Sequence, residues 1–140
     1  MIVIKINGFV CIIGIGWWHK GPPESVYSQF SRSINTNNTN KAIYFDVDDQ
    51  FLGKSNSIEV RIVWLDEGVA EWALLYDARD AKNKKAFSIK NTNSGIWKEK
   101  TILLADPFFN NRGENNADIF IRTNGNGIAI FHLIELNKKS

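Results

Sequence analysis

The stretch Gly16-Trp17-Trp18-His19-Lys20-Gly21-Pro22-Pro23, followed by Tyr27 and Arg32, gathers two indoles, an imidazole, a phenol and a guanidinium close together. Indole and phenol faces suit the C–H side of a sugar ring, while arginine and histidine donate hydrogen bonds to hydroxyls or carboxylates. The competing use of the two Trp is to plug one end of the fold, since Trp is usually well buried. Neighbours in an extended segment point apart, so one indole can be core while the other faces solvent. A second group is Asp46-Val47-Asp48-Asp49, with Asp66 and Glu67 further on. Oxygen-rich clusters of this kind bind calcium or act as general acid and base. The spacing is not that of an EF-hand loop, and Asp capping a strand end is the commoner role. A third group is Asp106-Pro107-Phe108-Phe109-Asn110-Asn111-Arg112-Gly113, which either lines a site or is packed by its Phe pair. Arg32, Arg112 and Arg122 are the candidate partners for a carboxylate or sulfate. His19 and His132 are the only histidines, with no metal-ligand spacing, nucleophile arrangement or phosphate loop beside them.

These groups must be carried by strands. Apolar residues come in short alternating or continuous runs bounded by Asn, Gly, Asp and Ser, and helical periodicity is almost absent. The pattern predicts strands near 2–6, 9–15, 42–47, 57–65, 71–77, 85–90, 96–104, 117–123 and 127–136. Ile58, Val60, Ile62 and Trp64 share one face, as do Trp72, Leu74 and Tyr76. In the last strand Ile128, Ile130, His132 and Ile134 fall opposite Ala129, Phe131, Leu133 and Glu135, which predicts a central strand or one with a covered outer face. Trp64, Trp72 and Trp97 are assigned to the core or to a sheet face. Asp66-Glu67-Gly68 and Asn93-Ser94-Gly95 read as turns, and Asn124-Gly125-Asn126-Gly127 as a hairpin connector. Trp17 to Lys41 is the longest stretch without predicted structure, and long loops are often functional. About nine strands at this spacing predict a single domain over 1–140, all-β, a sandwich or barrel.

Composition narrows the classes. The 140 residues suit one core, and 44% hydrophobic content excludes disorder. A net charge of +2, from 17 basic and 15 acidic residues, gives no footprint for nucleic acid. Cys11 alone forms no intrachain disulfide and no thiolate zinc site. No apolar run is long enough to span a membrane. Met1 to Ile15 is apolar, but Asn7-Gly8 interrupts it and no cleavage pattern follows, so it reads as strand rather than signal peptide. That leaves a cytoplasmic protein or a module from a longer secreted chain.

From residue 41 the chain runs Tyr44-Phe45-Asp46-Val47-Asp48-Asp49, then Val60-Arg61-Ile62-Val63-Trp64-Leu65-Asp66-Glu67-Gly68 and Trp72-Ala73-Leu74-Leu75-Tyr76-Asp77. Asn91-Thr92-Asn93-Ser94-Gly95-Ile96-Trp97-Lys98 follows, with Ala117-Asp118-Ile119-Phe120-Ile121 and Phe131-His132-Leu133 beyond it. With Gly16-Trp17-Trp18-His19 as an opening, this resembles the galactose-binding-like β-sandwich modules attached to bacterial glycoside hydrolases and polysaccharide lyases. The resemblance spans about 125 residues. It implies a jelly roll of two antiparallel sheets, sugar contacts from loops at one end and often a structural calcium, whose ligands it pins to no residue here. It implies scaffold roles for Trp97 and Asp118.

Three functions follow as expectations. The first is a non-catalytic carbohydrate-binding module, with Trp17, Trp18, His19, Tyr27, Arg32 and Arg112 as the binding residues. It holds a catalytic domain, in a longer secreted parent chain, on a polysaccharide. The second is a glycan-cleaving hydrolase or lyase drawing on Asp48, Asp49, His19 and Tyr27. The third is a structural or protein-binding sandwich with no sugar site.

Overall fold

The computed structural model describes residues 2–4, 11–12, 32–34, 41–124 and 126–139. Its strands are β1 (Ile2–Ile4), β2 (Cys11–Ile12), β3 (Arg32–Ile34), β4 (Ala42–Val47), β5 (Ser57–Leu65), β6 (Glu71–Tyr76), β7 (Lys84–Lys90), β8 (Trp97–Leu104), β9 (Ile119–Thr123) and β10 (Ala129–Lys139). One sheet has the order β1-β4-β9-β6-β7; the other has β2-β10-β5-β8, with β3 also paired to β10. All pairings are antiparallel except β1 with β4, which is parallel. From β4 onward only β6 and β7 are sequential neighbours within a sheet; every other connection crosses to the opposite sheet. This is a β-sandwich, as the strand pattern allowed, in the jelly-roll form that the resemblance implies.

Alternation decides which side chains meet between the sheets. Ile43, Phe45 and Val47 of β4 lie in one core with Ile119 and Ile121 of β9 and with Trp72, Leu74 and Tyr76 of β6. Ile58, Val60, Ile62 and Trp64 of β5 face them, with Phe131 and Ile134 of β10. Trp72 is the centre: its ring meets Phe131 at 4.9 Å, Trp64 at 5.3 Å and Phe87 at 5.7 Å, each near edge-on. Trp64 and Trp72 are therefore core residues. Trp97 is half-buried on the other side of its sheet, beside Leu65 and edge-on to His132 at 6.0 Å.

Three expectations need correction. β10 does not keep one alternation. Its register against β5 shifts between Phe131 and Leu133, a bulge that puts Ala129, Phe131 and Ile134 inside together. The segment ending in Asn126 and Gly127 is an arch from one sheet to the other rather than a hairpin, because β9 and β10 belong to different sheets. Strand β3 lies inside the span read as loop. Three residues amid Ser and Asn carry no readable period, and pairing with Ala129, Ile130 and Phe131 makes the strand.

The pole formed by the β5–β6 and β7–β8 connections is tied by Asp66. Its carboxylate accepts the Thr92 N–H (2.6 Å), the Thr92 hydroxyl (2.6 Å) and the Ser94 hydroxyl (2.5 Å), and pairs with Lys98 (2.8 Å). Burial pushes this carboxyl up, but the Lys98, Ser94 and Thr92 donors outweigh it and hold the group far below the usual range.

Candidate functional site

Of the residues expected to bind sugar, Trp17, Trp18, His19 and Tyr27 lie outside the described residues. The backbone of Arg32 sits in β3, opposite Phe131, and not in a loop. Arg112 lies on the β8–β9 connection. Its Nε and Nη2 donate to Asp77 Oδ1 at 3.0 and 2.7 Å, its Nη2 also donates to the Ala78 carbonyl, and its guanidinium lies 4.4 Å from the Phe108 ring centre. Arg112 thus braces its own loop.

The outer face of the first sheet brings other groups together. Tyr44 of β4 stands across from Phe120 of β9, ring centres 5.7 Å apart. The Tyr44 hydroxyl donates to Glu114 Oε1 at 2.5 Å, and Arg122 forms an ion pair with the same oxygen. Glu114 begins a single 3₁₀ turn, Glu114–Asn116. The Tyr44 hydroxyl and the Arg122 guanidinium draw the Glu114 carboxyl down; burial and the Glu114 charge push the Tyr44 hydroxyl up. Two residues along β4, Asp46 shares this face and enters a cleft of about 350 Å³ lined by Asp46, Val47, Asp48, Asp49, Gln50 and Asn111. Asp48 Oδ1 accepts the Gln50 N–H at 2.8 Å, which is the turn-capping role expected of this cluster. Asn111 donates Nδ2 to Asp49 at 3.0 Å, and its Oδ1 is buried with no hydrogen-bond partner among the described residues. An aromatic ring, a carboxylate–guanidinium pair and a cleft of acceptors and amides therefore form one continuous surface.

Two buried carboxylates hold the loop that supplies Asn111 and Glu114. Asp118 accepts the Val47 and Asn111 N–H groups, both at 2.9 Å. Asp77 accepts the Asn110 N–H at 2.9 Å in addition to Arg112. Asn111 has φ 56°, and a Cβ on Gly113 would fall 2.3 Å from the Ala117 carbonyl oxygen, so the loop's path depends on Asn and Gly at these positions. Burial raises the Asp118 carboxyl from 3.8 to about 6; the Asn111 and Val47 N–H groups oppose this, and Asp46 and Asp77 add to it. Between those two values the folded chain holds a proton that the unfolded chain has lost. This group's contribution to stability is therefore full below 3.8 and lost as pH rises through 6. Relative to Asp118→Asn, the parent is expected to lose more than about 1 kcal/mol between about pH 4 and pH 7, read from urea unfolding. Parallel pH profiles for the two proteins would show that Asp118 does not titrate there.

A structural calcium can be tested against the donors on hand. Among the described residues no three carboxylate, histidine or cysteine side chains converge, and Asp77 and Asp118 are committed to N–H groups and Arg112.

Sequence reasoning named Asp46, Asp48, Asp49 and Arg122 but gave Tyr44 and Glu114 no binding role. The outward alternation of β4 marks Tyr44; nothing local marks Glu114, whose place comes from the loop fold. No helix among the described residues is long and apolar enough to cross a membrane.

No protein-family model matches the chain, and no curated protein matches it. Among solved structures it is similar to the N-terminal CBM22-1–GH10 modules of Clostridium thermocellum endo-1,4-beta-D-xylanase 10B, complexed with xylohexaose. The TM-score is 0.47 at 14% identity, covering 98% of this chain and 27% of that one, so the chain spans about a quarter of that structure's length.

Proposed function

We propose that this domain binds a carbohydrate without cleaving it and keeps an attached or partner glycan-degrading enzyme close to its polysaccharide. One observation carries the reading: half-exposed Tyr44 stands on the outer sheet face beside the Glu114–Arg122 pair, and Asp46 of the same strand lines the cleft with Asp48, Asp49, Gln50 and Asn111. A sugar ring offers an apolar side to the phenol and hydroxyls to the carboxylates and amides. The resemblance of the chain to galactose-binding-like modules supports the same reading. On it, Trp17, Trp18, His19, Tyr27 and Arg32 remain candidate sugar contacts from the sequence, Arg112 braces the β8–β9 loop, and the parent chain is secreted. Few aromatic anchors and a wet ligand give weak affinity at a single site, which presentation of the enzyme beside its substrate offsets.

Affinity electrophoresis against neutral and acidic plant and algal polysaccharides tests this, with a product assay on every glycan retained. Tyr44→Ala is expected to fold and to bind roughly tenfold more weakly, while Trp17→Ala and Trp18→Ala test the contacts expected from the sequence. Retention of no glycan, or release of products from one, overturns the reading.

A further inference from the structure

The outer face of the first sheet extends well beyond Tyr44. Register places Tyr44, Phe120, Leu75 and Lys85 in one row across β4, β9, β6 and β7, and Ala42, Arg122, Ala73 and Ser88 in the next. Beyond them Glu71 stands opposite Lys90. In the first row Phe120 is buried beneath the Arg122 guanidinium, while Tyr44, Leu75 and Lys85 reach the surface. The second row is small apart from Arg122, which leaves a low track beside them. Three strand spacings make this track about 14 Å long.

Charge is sorted along it. The β4 end carries Asp46, with Asp48, Asp49 and Glu114 around it. The β7 end carries Lys85 and Lys90 on the face and Lys82 on the adjoining turn, all exposed. Among the described residues these three lysines have no carboxylate within ion-pair distance. Lys84 pairs with Asp80 and Asp106, Lys98 with Asp66, Arg61 with Glu99 and Glu135, and Lys139 with Glu59. Most other cations of the described sheets are thus neutralised locally, and those at the β7 end are not. Glu71, the nearest acid on the face, accepts a hydrogen bond from the Asn124 side chain.

We propose that this face takes a glycan with a neutral backbone and spaced acidic substituents, uronate or sulfate, laid across the strands with an acidic group over Lys85 and Lys90. The proposal rests on the carbohydrate reading above and narrows it. Neutral units lie at the Tyr44 end, where their hydroxyls meet carboxylates. A chain charged at every unit would put anions against Asp46 and Glu114, so the face selects against it. Exposed lysines are suited to this pairing because they meet a carboxylate or sulfate as mobile point charges.

The probes are glucuronoxylan, the same polymer after carboxyl reduction, polygalacturonate, κ-carrageenan and duplex DNA, compared by affinity electrophoresis and calorimetry at low and high salt. Glucuronoxylan or κ-carrageenan is expected to bind, and polygalacturonate less tightly. Carboxyl reduction and the double variant K85E/K90E are each expected to weaken glucuronoxylan binding about tenfold, as is high salt. K85Q/K90Q should fall between and melt like the parent because these side chains are exposed, whereas K85E/K90E, which sets a carboxylate opposite Glu71, should melt slightly lower and is compared at temperatures where it stays folded. The proposal is overturned if reduced and parent polymers bind alike, if charge reversal leaves acidic-glycan binding unchanged, or if polygalacturonate or DNA binds as well as the substituted polymers. In those cases binding of neutral glycans leaves the broader reading standing. Binding of none of the glycans overturns both.

Discussion

Replacing Asp77 with alanine is expected to lower the unfolding free energy by about 3–5 kcal/mol. Asp77 is 0% exposed, and its carboxylate serves the Arg112 guanidinium and the N–H groups of Asn110 and Arg112, while its carbonyl accepts Phe108 N–H. Alanine removes the anion and strands a guanidinium and two amides that were solvated before folding. The damage lands on the β8–β9 loop, which carries Asn111 and Glu114. Glycan binding should therefore fall even at temperatures where the variant remains folded. Asp77→Asn keeps an acceptor for the N–H groups but loses the charge, so it should lie between the two. Urea unfolding measures the effect; a loss below about 1 kcal/mol would mean that Arg112 and the loop hold without this anchor.

Trp72→Ala is expected to cost about 3–5 kcal/mol as well, for a different reason. The ring is the meeting point of Trp64, Phe87 and Phe131, so its removal opens a cavity between the sheets that no neighbour can fill without leaving its own contacts. Trp72→Phe should be far milder, under about 2 kcal/mol, because Trp72 Nε1 is buried with no hydrogen-bond partner among the described residues and phenylalanine removes that donor. Equilibrium unfolding followed by circular dichroism compares the two. Equal losses would show that the indole itself, rather than the filled volume, is what the core requires.

Where period and burial coincide, the chain could be read directly. β4, β5 and β6 emerged with the bounds or faces expected of them, since β4 and β6 bury one side and alternation is then forced, as it is in β5 up to Ile62, beyond which both faces are buried. β10 was legible as a strand but not in phase, because a bulge at His132 is a choice made against β5 and leaves no local mark. β3 was missed for the same reason in stronger form: Ile34 is buried only because Ala129 lies opposite it. The candidate site divides similarly. Asp46 and Asp48 announce themselves by clustering. Glu114 reaches Tyr44 from 70 positions away, brought there by the grip of Asp77 and Asp118 on the loop and by Asn83, whose Oδ1 accepts the Glu114 N–H.

β8 ends its sheet, so one row of its backbone groups has no neighbouring strand among the described residues. Such a border invites another chain to add itself and start an aggregate. Here Lys98 and Lys100 point to the same side of the strand as Ile102 and Leu104, toward the opposite sheet, where Lys98 finds Asp66 and Lys100 lies over the Phe87 ring. A newcomer docking along β8 would have to bury those ammonium groups without water. Several copies of this domain can therefore crowd side by side while each remains a separate folded unit.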